Sequence, residues 1–128
     1  MRKVFISVPM KGMSDELIMD EIERAKEFLA LVCKGEEFEY MDNFVSLPDE
    51  YDGNKSLYAI GEAIKKMSLC DVLVCPDWEL RQDYSGCRIE CDVARDYGMY
   101  VVEMPSALLP EARDRARLNW EHNAISEA

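Results

Sequence analysis

Histidine is almost missing from this chain: His122 is the single one in 128 residues. Hydrolase triads and imidazole-rich zinc sites draw on histidine, so one remote copy argues against both, and against Ser7 or Ser85 as an activated hydroxyl nucleophile. Glycine signatures are missing as well. No GxGxxG follows the first apolar run, and no GxxxxGK(S/T) occurs, so neither a dinucleotide fingerprint nor a triphosphatase phosphate loop is supported. Positive charge is scarce: 15 basic against 26 acidic residues leave a formal net charge of −11. Without a general basic surface, a DNA or RNA polymer is not an expected partner. A small anion still is, because backbone N–H groups at a helix start can hold one. No apolar run approaches the roughly 20 residues of a membrane span. The short run after Met1-Arg2-Lys3 ends by Lys11 and reads as a strand, not a signal peptide. The five cysteines (Cys33, Cys70, Cys75, Cys87, Cys91) are odd in number and lack framework spacing. They read as reduced thiols of a cytoplasmic protein. Cys87 and Cys91 stand i, i+4 but lack companion ligands, so no metal and no cofactor is expected.

What is present is the patterning of one domain over residues 1–128, with 48% apolar residues, enough to bury a core. Val4–Val8 is a first strand. Ser14 is a suitable N-cap for a helix whose apolar positions, Leu17, Ile18, Ile22, Ala25, Phe28, Leu29 and Val32, recur at helical spacing up to Gly35. Phe38–Met41 is a weak second strand, and 42–54 a polar loop. A second helix spans about Ser56 to Ser68, with Leu57, Ile60, Ile64 and Met67 inward. Asp71–Cys75 is a third, wholly apolar strand, and 76–85 a polar loop around Trp78. A helix at 86–97 stops at Gly98, Tyr100–Met104 is a fourth strand, and a last helix spans about Pro110 to Ile125.

Strands alternating with helices, several of them continuous apolar runs, indicate an α/β fold: a three-layer, doubly wound, flavodoxin- or Rossmann-like parallel sheet. Right-handed crossovers give the order 2-1-3-4, with a C-terminal helix. Strands one and three are then neighbours whose following helices lie on opposite faces, and a crevice opens at their C-terminal ends. Ser7, Pro9, Met10, Gly12, Trp78, Ser85, Gly86 and Glu90 converge there although far apart in sequence.

Glu90 is the informative residue. At about 100° per residue, helix 86–97 gathers Gly86, Cys87, Val93, Ala94 and Tyr97 on one face, and Glu90 points along the middle of it. A carboxylate among inward residues needs a partner, a shifted pKa or a function. It leans out of the interface, pairs with an arginine such as Arg88 or Arg95, or works in the crevice. Trp78 is a lid on the core or a stacking plate for a flat ring. Lys11 is a solvated loop charge or an anion contact. Asp77 and Asp83 are loop acids, either able to shuttle a proton.

The segment Ser7-Val8-Pro9-Met10-Lys11-Gly12 after a first strand resembles the S-G-P-M-x-G opening of nucleoside 2-deoxyribosyltransferase-like proteins. Asp71-Val72-Leu73-Val74 resembles their A-D-x-x-V strand. Ser85-Gly86-Cys87-Arg88-Ile89-Glu90, with Ala94 and Gly98, resembles their S-x-G-x-x-x-E-x-x-x-A-x-x-x-G helix, with the serine–glycine spacing altered. Pro76, Trp78, Ser85, Gly86 and Glu90 also fill the P-x-W-x-x-S-x-G-A-x-x-E pattern of small phage and bacterial members, with a longer loop. The resemblance covers residue 4 to about residue 104. It implies cleavage of the N-glycosidic bond of a deoxynucleoside or its 5′-monophosphate, with Glu90 as nucleophile and a homodimer or higher homo-oligomer as the assembly. Backbone N–H groups at Ser85–Cys87 and Met10–Gly12 would hold a 5′ hydroxyl or phosphate, Trp78 would stack on the base, and Asp77 or Asp83 would protonate it. Two departures stand out. Val8 replaces the second glycine of the opening, and the family's aspartate ahead of the third strand falls on Ala63, beside an outward-facing Glu62. The polar equipment for the base is thus reduced or comes from loop 42–54, and a non-catalytic nucleotide-binding protein of the same fold is the alternative.

Overall fold

The computed structural model describes residues 1–10 and 12–105. The expected last helix, with Trp120 and His122, lies outside the described residues, as does Lys11. Within them the chain runs β1 (Arg2–Ile6), α1 (Asp15–Val32), β2 (Phe38–Tyr40), α2 (Lys55–Met67), β3 (Val72–Pro76), α3 (Trp78–Arg81), α4 (Ser85–Asp96) and β4 (Tyr100–Met104). The four strands form one parallel sheet in the order β2-β1-β3-β4, the order expected from the sequence. Val4 and Ile6 lie opposite Val72 and Val74 in the central pair, β1 and β3.

Strand periodicity sorts the core into two layers. Val4, Ile6, Val8, Val72 and Val74 face α1, where they meet Ile18, Ile22, Ala25 and Leu29. The intervening Phe5, Leu73 and Cys75 face α2 and α4, where they meet Ala63, Met67, Cys91 and Ala94. Every residue of β3 is buried, as an all-apolar central strand between two helical layers requires. The β1–β3 boundary, where the chain switches faces, is therefore where a crevice must open.

Side-chain caps fix three helix starts. Ser14, Asn54 and Asp77 accept from the backbone N–H of Leu17, Leu57 and Leu80. Asp77 changes one expectation: residues 76–85 are not all loop, because its cap starts the four-residue α3. Two inward assignments also change. Leu57 is 66% exposed, because the cleft-side residues of the first turns of α2 are Ser56, Ala59 and Ile60. Tyr97 is 85% exposed, because the backbone leaves helical geometry at this C-cap, and Gly98 then takes a φ of 79°. Among the described residues, no helix is long and apolar enough to cross a membrane.

Candidate functional site

A cleft of about 1000 Å³ opens at the C-terminal end of the sheet, between the segments that follow β1 and β3. That volume lies in the range of small-molecule sites. Two elements place its central pair. β1 continues one residue past its last strand position, with the Ser7 N–H donating to Val74 O at 2.8 Å. Strand alternation then turns the Ser7 side chain to the α4 face, together with Phe5. On α4 the buried stripe is Cys87, Glu90, Cys91 and Ala94, at i, i+3, i+4 and i+7. The two meet: Ser7 Oγ donates to Glu90 Oε1 at 2.9 Å, with Ser7 3% and Glu90 9% exposed.

Glu90 makes no ion pair with Arg88 or Arg95; Arg95 instead bonds Glu103 at 2.7 Å. Burial drives the Glu90 carboxyl up to about 7, and the Ser7 hydrogen bond pulls the other way. At neutral pH the group is poised between a carboxylate and a carboxylic acid. The same burial raises the Cys87 thiol far above its usual range, with the Glu90 charge adding to it. Cys87 is thus a neutral wall rather than a nucleophile.

Of the residues singled out from the sequence, Ser7, Pro9, Met10, Asp83, Ser85, Gly86 and Glu90 line the cleft. Gly12, Asp77 and Trp78 lie outside its lining. Trp78 departs from the expected stacking plate for a local reason. α3 turns Leu80 and Arg81 inward and leaves the indole 62% exposed, with the Arg81 guanidinium 5.8 Å from its ring centre. Arg81 is the anchor of this turn. Its Nη1 bonds Pro76 O and Glu103 Oε1, both at 2.6 Å, and tacks α3 to the ends of β3 and β4. Asp77 is committed to the cap of the same turn, with Oδ1 3.2 Å from the Leu80 N–H.

The cleft also has a facing wall, part of it from the loop 42–54 that the sequence offered as a source of polar groups for the base. Asn43, Phe44 and Val45 line it from the loop after β2, and Ala59, Ile60 and Ala63 from α2. Ala63 presents a methyl group where the resemblance calls for an aspartate. Its neighbour Glu62 turns away and pairs with Lys65 at 2.9 Å. The loop is pinned to α2, because Lys66 Nζ donates to Asp42 O at 2.8 Å and to Phe44 O at 2.6 Å. A second buried acid sits on α1. Glu21 is 2% exposed, Arg24 stands 3.6 Å away, and burial raises its carboxyl to about 7. The helical-phase test that isolates Glu90 also finds Glu21, since it falls between Ile18, Ile22 and Ala25 on the buried stripe.

Chemically the arrangement offers one buried carboxyl of adjustable charge, a hydroxyl fixed to it, a second acid in Asp83, and a largely apolar facing wall. Among the described residues no His, Cys, Asp or Glu side chains gather as a metal-ligand set. Comparison of the chain with family models, with curated proteins and with solved structures gives no match, so the reading of this cleft stands on its residues and geometry.

Proposed function

We propose that the cleft binds a deoxynucleoside or its 5′-monophosphate and that Glu90 attacks the anomeric carbon. The observation that carries this reading is the buried Glu90 carboxyl in the cleft, held by Ser7 at 2.9 Å and raised to about 7. As the C1′–N bond breaks, its electron pair leaves with the base and the sugar becomes oxocarbenium-like. A negative charge beside it stabilises the transition state more than the ground state. A Glu90 oxygen then bonds C1′ to give a glycosyl-enzyme, as in retaining glycosidases. A second base displaces Glu90 to complete a deoxyribosyl transfer, or water does so to complete a hydrolysis. Asp83, the other acid in the lining, is the candidate to protonate the leaving base. The backbone N–H groups at the start of α4, where Tyr84 gives no side-chain cap, are the candidates for the 5′ hydroxyl or phosphate.

One observation favours a second reading, a nucleotide-binding protein that does not cut its ligand. Ala63 leaves the cleft without the acid expected beside the base. The two readings separate in one experiment. The full chain is incubated with a panel of deoxynucleosides and their monophosphates, and free base is followed by liquid chromatography. Base release by the wild type that is lost in Glu90→Gln supports the enzyme. Equal release by both removes Glu90 from the mechanism, and tight binding with the ligand recovered intact supports the binding protein. The same reading carries a homodimer or higher homo-oligomer. The five cysteines, all free thiols, support a reducing, cytoplasmic setting.

A further inference from the structure

Among the described residues, three buried polar side-chain atoms have no hydrogen-bond partner: Glu21 Oε2, Asn43 Nδ2 and Tyr84 Oη. Glu21 lies outside the cleft lining. Tyr84 reaches it but belongs to the apolar cluster on the α1 face. Asn43 is different. It is 7% exposed and lines the cleft, and its neighbours on that wall are Phe44, Val45, Ala59 and Ile60. A buried amide donor without an acceptor costs stability, and folded proteins keep few of them. Here the chain holds the residue in place on both sides. Lys66 Nζ grips the carbonyls of Asp42 and Phe44, and Asp42 Oδ1 accepts from the Phe44 N–H at 2.9 Å. Asn43 is thus set on a pinned backbone, and its donor is left unused.

An apolar wall with one unpartnered amide suits a flat ring with apolar faces and a polar edge. The rest of the lining, with Ser7, Ser85 and Glu90, suits a sugar. We infer that Asn43 is the base-reading residue of this cleft: its side-chain amide hydrogen-bonds the polar edge of a nucleobase seated against Phe44 and Ile60. The inference rests on the nucleoside reading above for the identity of the ligand, and it adds the contact that selects the ring. It also supplies the base contact that Trp78, turned to solvent, does not make.

Isothermal calorimetry of the full chain tests it, with the four common 2′-deoxynucleosides and their 5′-monophosphates as probes. Asn43→Leu and Asn43→Ala both remove the amide, and the alanine variant serves where the bulkier side chain fails to fold. The expected result is a loss of about tenfold or more in affinity for the tightest probe, with the thermal midpoint unchanged or raised, because no protein hydrogen bond of Nδ2 is lost. Unchanged affinity in a folded variant overturns the inference and leaves the function of Glu90 standing. Binding that depends on Asn43, with no base released by the wild type, upholds the inference and removes the cleavage reading. If no probe binds the wild type, both fall.

Discussion

Ser7 and Glu90, 83 positions apart in sequence, are joined by a 2.9 Å hydrogen bond in which the hydroxyl donates to the carboxyl. The bond couples the end of β1 to the inward face of α4 and opposes the effect of burial on the acid. Burial favours the neutral form of Glu90, and the Ser7 donor favours the ionised form. The balance near 7 gives a group that is protonated in mild acid and ionised in mild base.

Ser7→Ala removes the contact that lowers the Glu90 pKa while leaving the desolvation. Glu90 then titrates higher, by roughly one pH unit for a hydrogen bond to a charged acceptor. On the proposed mechanism the ascending limb of the pH profile for base release moves up by the same amount. Carbon-detected NMR of the Glu90 carboxyl reads the shift without reference to turnover. A carboxyl that titrates unchanged in the variant would show that the hydroxyl is a spectator.

Glu90→Gln separates stability from activity. The folded-state pKa of Glu90 is raised, so its folded-state advantage is complete below the unfolded value of 4.5 and is lost as pH climbs through about 7. Ionising the buried group costs on the order of 3 kcal/mol above that window. The glutamine variant escapes this cost. It matches the wild type at pH 5 and exceeds it at pH 8 in denaturant unfolding, and on the proposed mechanism base release falls by about 10⁴-fold. Equal stability of the two proteins at pH 8 would mean that solvent reaches the carboxylate.

Particular residues show what the sequence could and could not display. The strand order was legible because Val72–Cys75 is wholly apolar and Val4, Phe5 and Ile6 match it, which only a doubly covered central pair requires. Glu90 was legible because helical phase alone sets it beside Cys87 and Ala94. Glu21 obeyed the same rule on α1. Asn43 carries no such signal, because an irregular loop has no periodicity. Its place depends on Lys66, 23 residues away, reaching the carbonyls on either side of it. The four-residue α3 is too short to show a period, yet Asp77 followed by Leu80 has the spacing of Ser14 with Leu17 and Asn54 with Leu57. That cap commits Asp77 Oδ1 to a backbone N–H and begins the turn that leaves Trp78 exposed.

Glu21 gives a purer stability test, since it lies outside the cleft lining. Its carboxyl is also raised to about 7, by burial first, with Arg24 opposing and Asp20 adding. Glu21 Oε2 has no partner among the described residues, and Arg24 is 43% exposed, so the pair recovers little of the desolvation. The sign is that of Glu90: the advantage is full below 4.5 and is lost through about 7. Glu21→Leu therefore raises unfolding stability at pH 8 by roughly 1–2 kcal/mol, and flattens its fall between pH 5 and pH 8. A lower midpoint for the leucine variant at pH 8 would mean that the ion pair outweighs desolvation.

Gly86 gives the opposite trade. It stands in the first turn of α4 and lines the cleft, and a Cβ built on it meets no heavy atom within 4 Å. Glycine in a helix interior forfeits about 0.5–1 kcal/mol relative to alanine and less in the first turn, so Gly86→Ala should raise stability by up to about 0.5 kcal/mol. The added methyl group enters open space at the start of α4, where the backbone N–H groups are proposed to receive the 5′ end of the ligand. Affinity for a monophosphate should fall several-fold while the protein becomes harder to unfold. The bulkier Gly86→Val should abolish monophosphate binding and lose the stability gain through its branched Cβ. Calorimetry beside denaturant titration checks both quantities in one preparation. Full affinity in the alanine and valine variants would move the phosphate away from this turn, towards the segment after β1.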